Sequence, residues 1–182
     1  SPDIAHIGED PRMEALILER LLKYEDPSDF RQATVRALGA IGTEQALNAL
    51  IALMRAIDEP CAEIAVSVGK ISRRLGDTRA MPHLVNVYRT QPHTHGTGLP
   101  EEVLESLPPW PQRAVILALL TIGGEEGLQA LKDLRADETH PALRQQLEDA
   151  IMDLRERLES ADSSQPEQTN RDKRGNPELR DE

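Results

Sequence analysis

Residues 33–54 read ATVRALGAIGTEQALNALIALM, with apolar side chains recurring every three or four positions on both sides of a central glycine, Gly42. That spacing is the period of an amphipathic α-helix. We expect a first helix over residues 28–41, ended by Gly42 in a left-handed conformation. A second helix should begin at Thr43 or Glu44. The stretch therefore predicts two antiparallel helices joined by a tight polar turn.

The Ile41-Gly42 pair belongs to a repeat. Ile7-Gly8 and Leu75-Gly76 lie 34 residues before and after it, and Ile122-Gly123 lies 47 residues beyond Leu75-Gly76, which is one period plus an insertion of 13. Aligned on these glycines, the second helices share three apolar rows: Leu47, Met81 and Leu128; Leu50, Leu84 and Leu131; Leu53, Val87 and Leu134. Because so short a helix pair cannot bury its apolar faces alone, neighbouring pairs must stack.

These segments resemble the HEAT-like repeats, especially the short variety of bacterial proteins and of the phycobilin lyase group. The resemblance is carried by residues 33–54 and by RAVILALLTIGGEEGLQALKDL at 113–134, and it covers about residues 4–158. It implies an all-α fold, an α-solenoid in which antiparallel helix pairs form a superhelix. The tetratricopeptide repeat also has a period of 34, but its Trp, Tyr and Phe positions are not filled here.

The two ends of the array differ. Because Ile7-Gly8 marks the end of a first helix, residues 10–23 are predicted to be a second helix without its partner, so that the first repeat is incomplete and belongs to a longer array. Residues 141–158 are predicted to be a terminal helix with one apolar and one charged face. We expect the array to occupy residues 1–160 and residues 161–182 to be a disordered polar tail, since they have almost no apolar side chains.

The composition restricts the partners. The 182 residues include 32 Asp and Glu against 21 Lys and Arg, a net charge of −11, which opposes binding to nucleic acid or to an anionic membrane. No stretch approaches the roughly 20 apolar residues that span a bilayer. The single cysteine, Cys61, can form no internal disulfide and has no CxxC partner for zinc. We expect a cytoplasmic protein with no nucleic-acid partner and no membrane insertion.

An insertion at about residues 90–110 is rich in Pro, Gly and His and contains Trp110, the only tryptophan. A short helix beginning at Pro100 is predicted within it; this helix and Trp110 either pack on neighbouring repeats or contact a partner. His93 and His95, with His83 before them, form a weak zinc pattern, because no cysteine and no HExxH pair accompanies them. Solvated loop histidines are the simpler interpretation.

No catalytic motif accompanies these residues. The sequence has no nucleophile elbow, no phosphate-binding loop and none of the His-Glu dipeptides by which one class of HEAT-repeat enzymes holds iron. Glu101-Glu102 and Glu125-Glu126 stand at predicted helix starts, where negative charge favourably meets the helix dipole. We therefore expect no catalytic residue, no cofactor and no metal.

The remaining candidates lie on the second helices, which form the ligand-facing layer of many solenoids. In the repeat alignment Asn48 corresponds to Pro82 and Gln129, Ala52 to Asn86 and Asp133, and Arg55 to Arg89 and Ala136. Amide and guanidinium groups on successive repeats can hydrogen-bond an extended peptide. The predicted partner-binding residues are Asn48, Arg55, His83, Asn86, Arg89, Trp110 and Gln129.

The sequence thus favours a non-catalytic scaffold or adaptor that binds a protein partner, either a basic protein or an extended peptide. The resemblance to the phycobilin lyase group implies an alternative, a lyase-like or chaperone-like component acting on a tetrapyrrole-bearing protein. The incomplete first repeat suggests another, a regulatory domain of a larger enzyme.

Overall fold

The computed structural model describes Arg12, Ala15 and Leu16 and residues 28–56, 62–93, 100–104 and 108–164. All regular secondary structure in these residues is helical. The helices are α1 (Ser28–Ile41), α2 (Glu44–Ala56), α3 (Ala62–Leu75), α4 (Met81–Thr90), α5 (Glu101–Leu104), α6 (Trp110–Ile122), α7 (Gly124–Asp137) and α8 (Pro141–Ser163). Helix α1 has the predicted bounds, and α2 begins at Glu44 as expected. The predicted second helix at 10–23 lies largely outside the described residues, and so do residues 165–182 of the predicted tail, whereas residues 161–163 belong to α8.

The helices form a stack with two kinds of contact. The first helices α1, α3 and α6 pack on one another in order, and α8 then packs on both α6 and α7. Each second helix lies against the first helix of the following repeat, so that α2 contacts α3, α4 contacts α6, and α7 contacts α8. Direct contact between the second helices is sparser. The repeats therefore overlap along the stack.

The core consists of the apolar rows predicted from the repeat. Leu47, Leu50, Leu84 and Leu131 are fully buried, and Leu53 and Val87 are partly buried against the same cluster. Burial of one such side chain contributes about 1.5–3 kcal/mol. On α8 the core face is equally apolar, whereas its opposite face is largely charged and exposed. That arrangement suits the end of a stack.

The first helices approach each other closely at two glycines. A Cβ atom on Gly39 of α1 would lie 2.6 Å from the Oγ of Ser67 on α3, and one on Gly69 would lie 3.0 Å from the Cα of Ala118 on α6. The buried Ser67 hydroxyl donates to the carbonyl of Val35 at 2.9 Å. A side chain at Gly39 would clash with Ser67, and one at Gly69 would fit only if Ala118 moved by a few tenths of an ångström.

The repeat glycines terminate their helices in different ways. Gly76 has a φ of +64°, and the N–H groups of Gly76 and Asp77 bond the carbonyls of Arg73 and Ser72, as in a Schellman motif. Gly123 also has a positive φ, +68°, but its ψ of −153° lies outside the left-handed helical region. The prediction of a left-handed Gly42 was wrong, since Gly42 is described and is not one of the glycines with positive φ.

Arg74 of α3 provides the physical reason. Its guanidinium donates to the carbonyls of Gly39 (3.3 Å), Ala40 (2.8 Å) and Gly42 at the end of α1. These carbonyls are satisfied from the next repeat, so no left-handed turn is needed there. A Cβ on Gly42 would come within 2.9 Å of the Ile71 side chain. Gly42 is therefore needed for close packing.

Arg74→Ala should destabilise the protein, because it removes the donor that caps α1 from a neighbouring helix. We expect a loss of about 1–2 kcal/mol in the free energy of unfolding, measured by urea denaturation. Arg73→Ala is the matched control, since Arg73 is an exposed neighbour with no hydrogen bond from its side chain to the described residues. Equal losses from the two variants would contradict the assignment.

Candidate binding surface

The exposed side of α2, α4 and α7, named here the second-helix surface, holds most of the residues predicted to bind a partner. Asn48 and Arg55 lie on α2, Asn86 and Arg89 on α4, and Gln129 on α7, and all five are exposed. His83 on α4 is half-buried. Contact between α4 and α7 is direct, while α2 lies further from α4. The predicted residues therefore share a layer without forming one continuous ladder.

Several of these side chains bond their own neighbours. Arg79, in the turn before α4, donates to the amide oxygen of Asn48 (2.9 Å), to Glu44 (2.7 Å) and to Asp77 (2.7 Å). The hydrogen bonds from Arg79 lower the pKa of Asp77, and those to Asp77 and Glu44 raise the pKa of Arg79. Asn48 thus takes part in a polar bridge between α2 and the α3–α4 turn. The sequence analysis missed this role of Arg79.

The rest of the surface divides into paired and unpaired groups. Gln129 donates to Asp133 at 2.9 Å, and Arg89 forms a long ion pair with Asp137 at 3.8 Å. By contrast, within the described part of the chain no hydrogen bond or ion pair involves the polar side-chain atoms of three predicted residues. These are Arg55, His83 and Asn86. Their polar groups are the ones that remain available to a ligand.

Trp110 lies elsewhere. It is the first residue of α6, follows the buried Pro109 and is half-buried, so it belongs to the first-helix layer. The predicted short helix of the insertion is present as α5, where the N–H of Val103 donates to the carbonyl of Pro100. His95 lies outside the described residues. Whether Trp110 contacts a partner stays a prediction.

A buried polar joint connects the end of α4 with α6 and with the α7–α8 turn. The Tyr88 hydroxyl donates to the Glu138 carboxylate, which also accepts from the backbone N–H of His140 at 2.8 Å. Gln112 of α6 is completely buried, and its amide nitrogen donates to the carbonyls of Tyr88 (3.3 Å) and Gln91 (2.8 Å). These bonds fix the beginning of the insertion to the next repeat.

The histidines near this joint do not assemble into a metal site in the described residues. The ring of His93 meets that of His140 edge to face, with 5.6 Å between centroids, while His83 lies on α4. Among the residues that the structure describes, no group of three or more potential ligands is placed to hold a metal ion. The sequence offered one signal for the joint, the polar Gln112 near the start of a largely apolar helix.

The pKa of Tyr88 is raised, first by burial and then by its hydrogen bond to the Glu138 carboxylate. As pH rises, a tyrosine in the unfolded chain loses its phenol proton at a pKa of about 10, whereas Tyr88 in the folded protein still holds its proton at that pH. Tyr88 should favour folding fully below about pH 10, and its contribution should decline as pH rises above that value.

We expect Tyr88→Phe to reduce the fall in unfolding free energy above about pH 10. Subtracting the variant's 295 nm absorbance titration from that of the unsubstituted protein isolates Tyr88 from Tyr24. Ionisation of Tyr88 near pH 10 while the circular dichroism remains native would contradict this account.

The comparison with known families agrees with this architecture. Residues 30–56, which include most of α1 and all of α2, match the family model described as PBS lyase HEAT-like repeat. No curated protein and no solved structure matches the chain. The match confirms the HEAT-like repeat predicted from the sequence, and the stacked helices have the architecture of a HEAT-repeat α-solenoid. No helix of the described residues has both the length and the hydropathy to cross a membrane.

Proposed function

We propose that this chain is a non-catalytic scaffold or adaptor that binds a protein partner on its second-helix surface. Three exposed or half-buried polar side chains, Arg55, His83 and Asn86, carry the proposal, since they have no partner among the described residues and lie on helices held by a continuous core. Helical arrays of this kind present extended surfaces for binding. A rigid surface of this type needs little reordering when it binds, which favours affinity.

The chemistry of these groups suits an extended peptide. The Arg55 guanidinium donates hydrogen bonds, and the Asn86 amide both donates and accepts. Peptide backbone offers carbonyl acceptors and N–H donors at regular intervals, which such side chains can pair. The net charge of −11 favours partners that are basic overall, because long-range attraction accelerates their encounter.

The test is a triple variant of the surface. Arg55→Ala, Asn86→Ala and Arg89→Ala together remove two guanidinium groups and one amide without changing a buried side chain. Retention of the partner from a lysate of the source organism should fall at least tenfold, a loss of about 1.4 kcal/mol, as quantified by mass spectrometry.

The matched control removes the same kinds of group elsewhere. Arg113→Ala, Gln145→Ala and Arg155→Ala change exposed positions on α6 and α8 and should leave retention unchanged. If the surface variant retained the partner as well as the control did, the second-helix surface would be discarded as the binding site.

The name of the matched family favours a second candidate, a lyase-like or chaperone-like component acting on a tetrapyrrole-bearing protein. A bilin bound by the chain would show a shifted and sharpened absorbance band, because a protein pocket restricts its conformations. Mixing purified chain with free bilin and with a bilin-bearing protein distinguishes this candidate from the scaffold, for which no spectral change is expected. A regulatory domain of a larger enzyme would instead require contact with a catalytic domain.

A further inference from the structure

The junction between α1 and α3 is closed by an arginine. As described above, the Arg74 guanidinium sits across the end of α1 and donates to the carbonyls of Gly39, Ala40 and Gly42. The carbonyl end of a helix carries a partial negative charge, so a cation at this position is favourable. Arg74 thus shows what chemistry this kind of junction accepts.

The next junction, between α3 and α6, lacks that arginine. Arg74 stands two residues before the repeat glycine Gly76, and the residue two before Gly123 is Thr121. The Thr121 hydroxyl donates within its own helix, to the carbonyl of Leu117 at 2.8 Å. A threonine side chain is also too short to reach across to α3. The arginine of the first junction therefore has no counterpart at the second, where the Schellman motif at Gly76 satisfies the carbonyls of Ser72 and Arg73 and leaves that of Gly76 without a backbone donor in the described residues.

A crevice of about 340 Å³ lies at this second junction. Its wall includes Arg73 and Gly76, the repeat counterparts of Gly39 and Gly42, and on the other side Gly123 and the start of α7. The volume is far larger than a single water requires. The crevice thus lies beside the end of α3, as the Arg74 guanidinium lies beside the end of α1 in the preceding repeat.

Groups that accept hydrogen bonds surround the crevice. In the described part of the chain, no backbone N–H bonds the carbonyl of Gly76, a residue of the crevice wall. Ser72 belongs to the crevice wall and is fully buried, and its hydroxyl has no hydrogen-bond partner among the residues that the structure describes. Unsatisfied buried polar atoms are uncommon and call for an explanation.

The charges of the lining are mainly negative. Asp77, Glu125 and Glu126 contribute carboxylates, while Arg73 is the cationic residue of the lining. Asp77 is already engaged by Arg79, which leaves Glu125 and Glu126 as the carboxylates not bound to another side chain. They also offset the positive end of the α7 dipole, so that the crevice suits a cation better than an anion.

We propose that this crevice receives an arginine side chain from a protein partner, in the manner in which Arg74 fills the preceding junction. The planar guanidinium carries five N–H donors, so it can pair with several carbonyl and carboxylate oxygens at once, which a lysine ammonium does less well. The inference rests on the proposed binding function, since it names the chemistry of the partner. It uses a different surface from Arg55, His83 and Asn86.

The direct test is an NMR titration of the full chain with the tripeptide acetyl-Gly-Arg-Gly-amide. We expect saturable shifts in the millimolar range, centred on the amide signals of Gly76, Gly123 and Gly124. The same peptide with citrulline keeps the shape and lacks the charge, and a peptide with aspartate probes anion binding at the start of α7. Shifts of equal size with citrulline, larger shifts with aspartate, or no shift with arginine would overturn the proposal.

Thr121→Arg places a guanidinium at the position that corresponds to Arg74. It should raise Tm by about 2–4 °C and abolish the arginine-dependent shifts. Leu117→Arg is the matched control, because it adds the same charge one turn earlier on the exposed side of α6, and it should retain the shifts. Arginine-dependent shifts that persisted in Thr121→Arg would place the peptide elsewhere and overturn the assignment.

A second variant makes the test independent of how well Thr121→Arg folds. Glu125→Gln together with Glu126→Gln removes two exposed carboxylates and should weaken binding of the arginine tripeptide about threefold. Unchanged affinity would count against the proposal. Because the tripeptide replaces the native partner, failure here leaves the second-helix surface untouched, and failure of that surface leaves the crevice untouched.

Discussion

The close approach of successive first helices is the constraint on which the other contacts depend. A Cβ at Gly39 would overlap Ser67 of the neighbouring first helix, and a Cβ at Gly69 would press tightly on Ala118 of the next. Only at this spacing does the Ser67 hydroxyl reach the carbonyl of Val35. The same approach brings Arg74 over the end of α1. Two glycines thus determine both the packing distance and the polar contacts between repeats.

The repeat pattern of the sequence was sufficient to predict the helices. Helix α1 has the predicted bounds, and the rows that include Leu47, Leu84 and Leu131 are buried, since the helical period is a local property of the chain. The ending of α1 could not be predicted in this way. The conformation of Gly42 depends on Arg74, a residue of the following repeat that no local pattern connects with it.

The sequence predicted which helices carry the candidate residues, but not which of their side chains are unpaired. The alignment placed Asn48, Asn86 and Gln129 on second helices, and the structure agrees. Which of them remain available depends on side chains from other elements, since Arg79 engages Asn48 and Asp133 engages Gln129. The polar joint at Gln112 is likewise a product of tertiary packing. Position on a helix follows from spacing, whereas hydrogen-bond partners follow from the fold.

The contacts between neighbouring repeats have a consequence for how the array unfolds. Contacts between α2 and α3, α4 and α6, and α7 and α8 cross the boundaries of the sequence repeat, and those within α1–α2 and α3–α4 are sparser. In a linear array, cooperativity reflects the coupling between neighbours. Together with the packing of α1 on α3 and of α3 on α6, these contacts couple successive repeats more strongly than α1 is coupled to α2 or α3 to α4. The array should therefore unfold as one cooperative unit and not repeat by repeat.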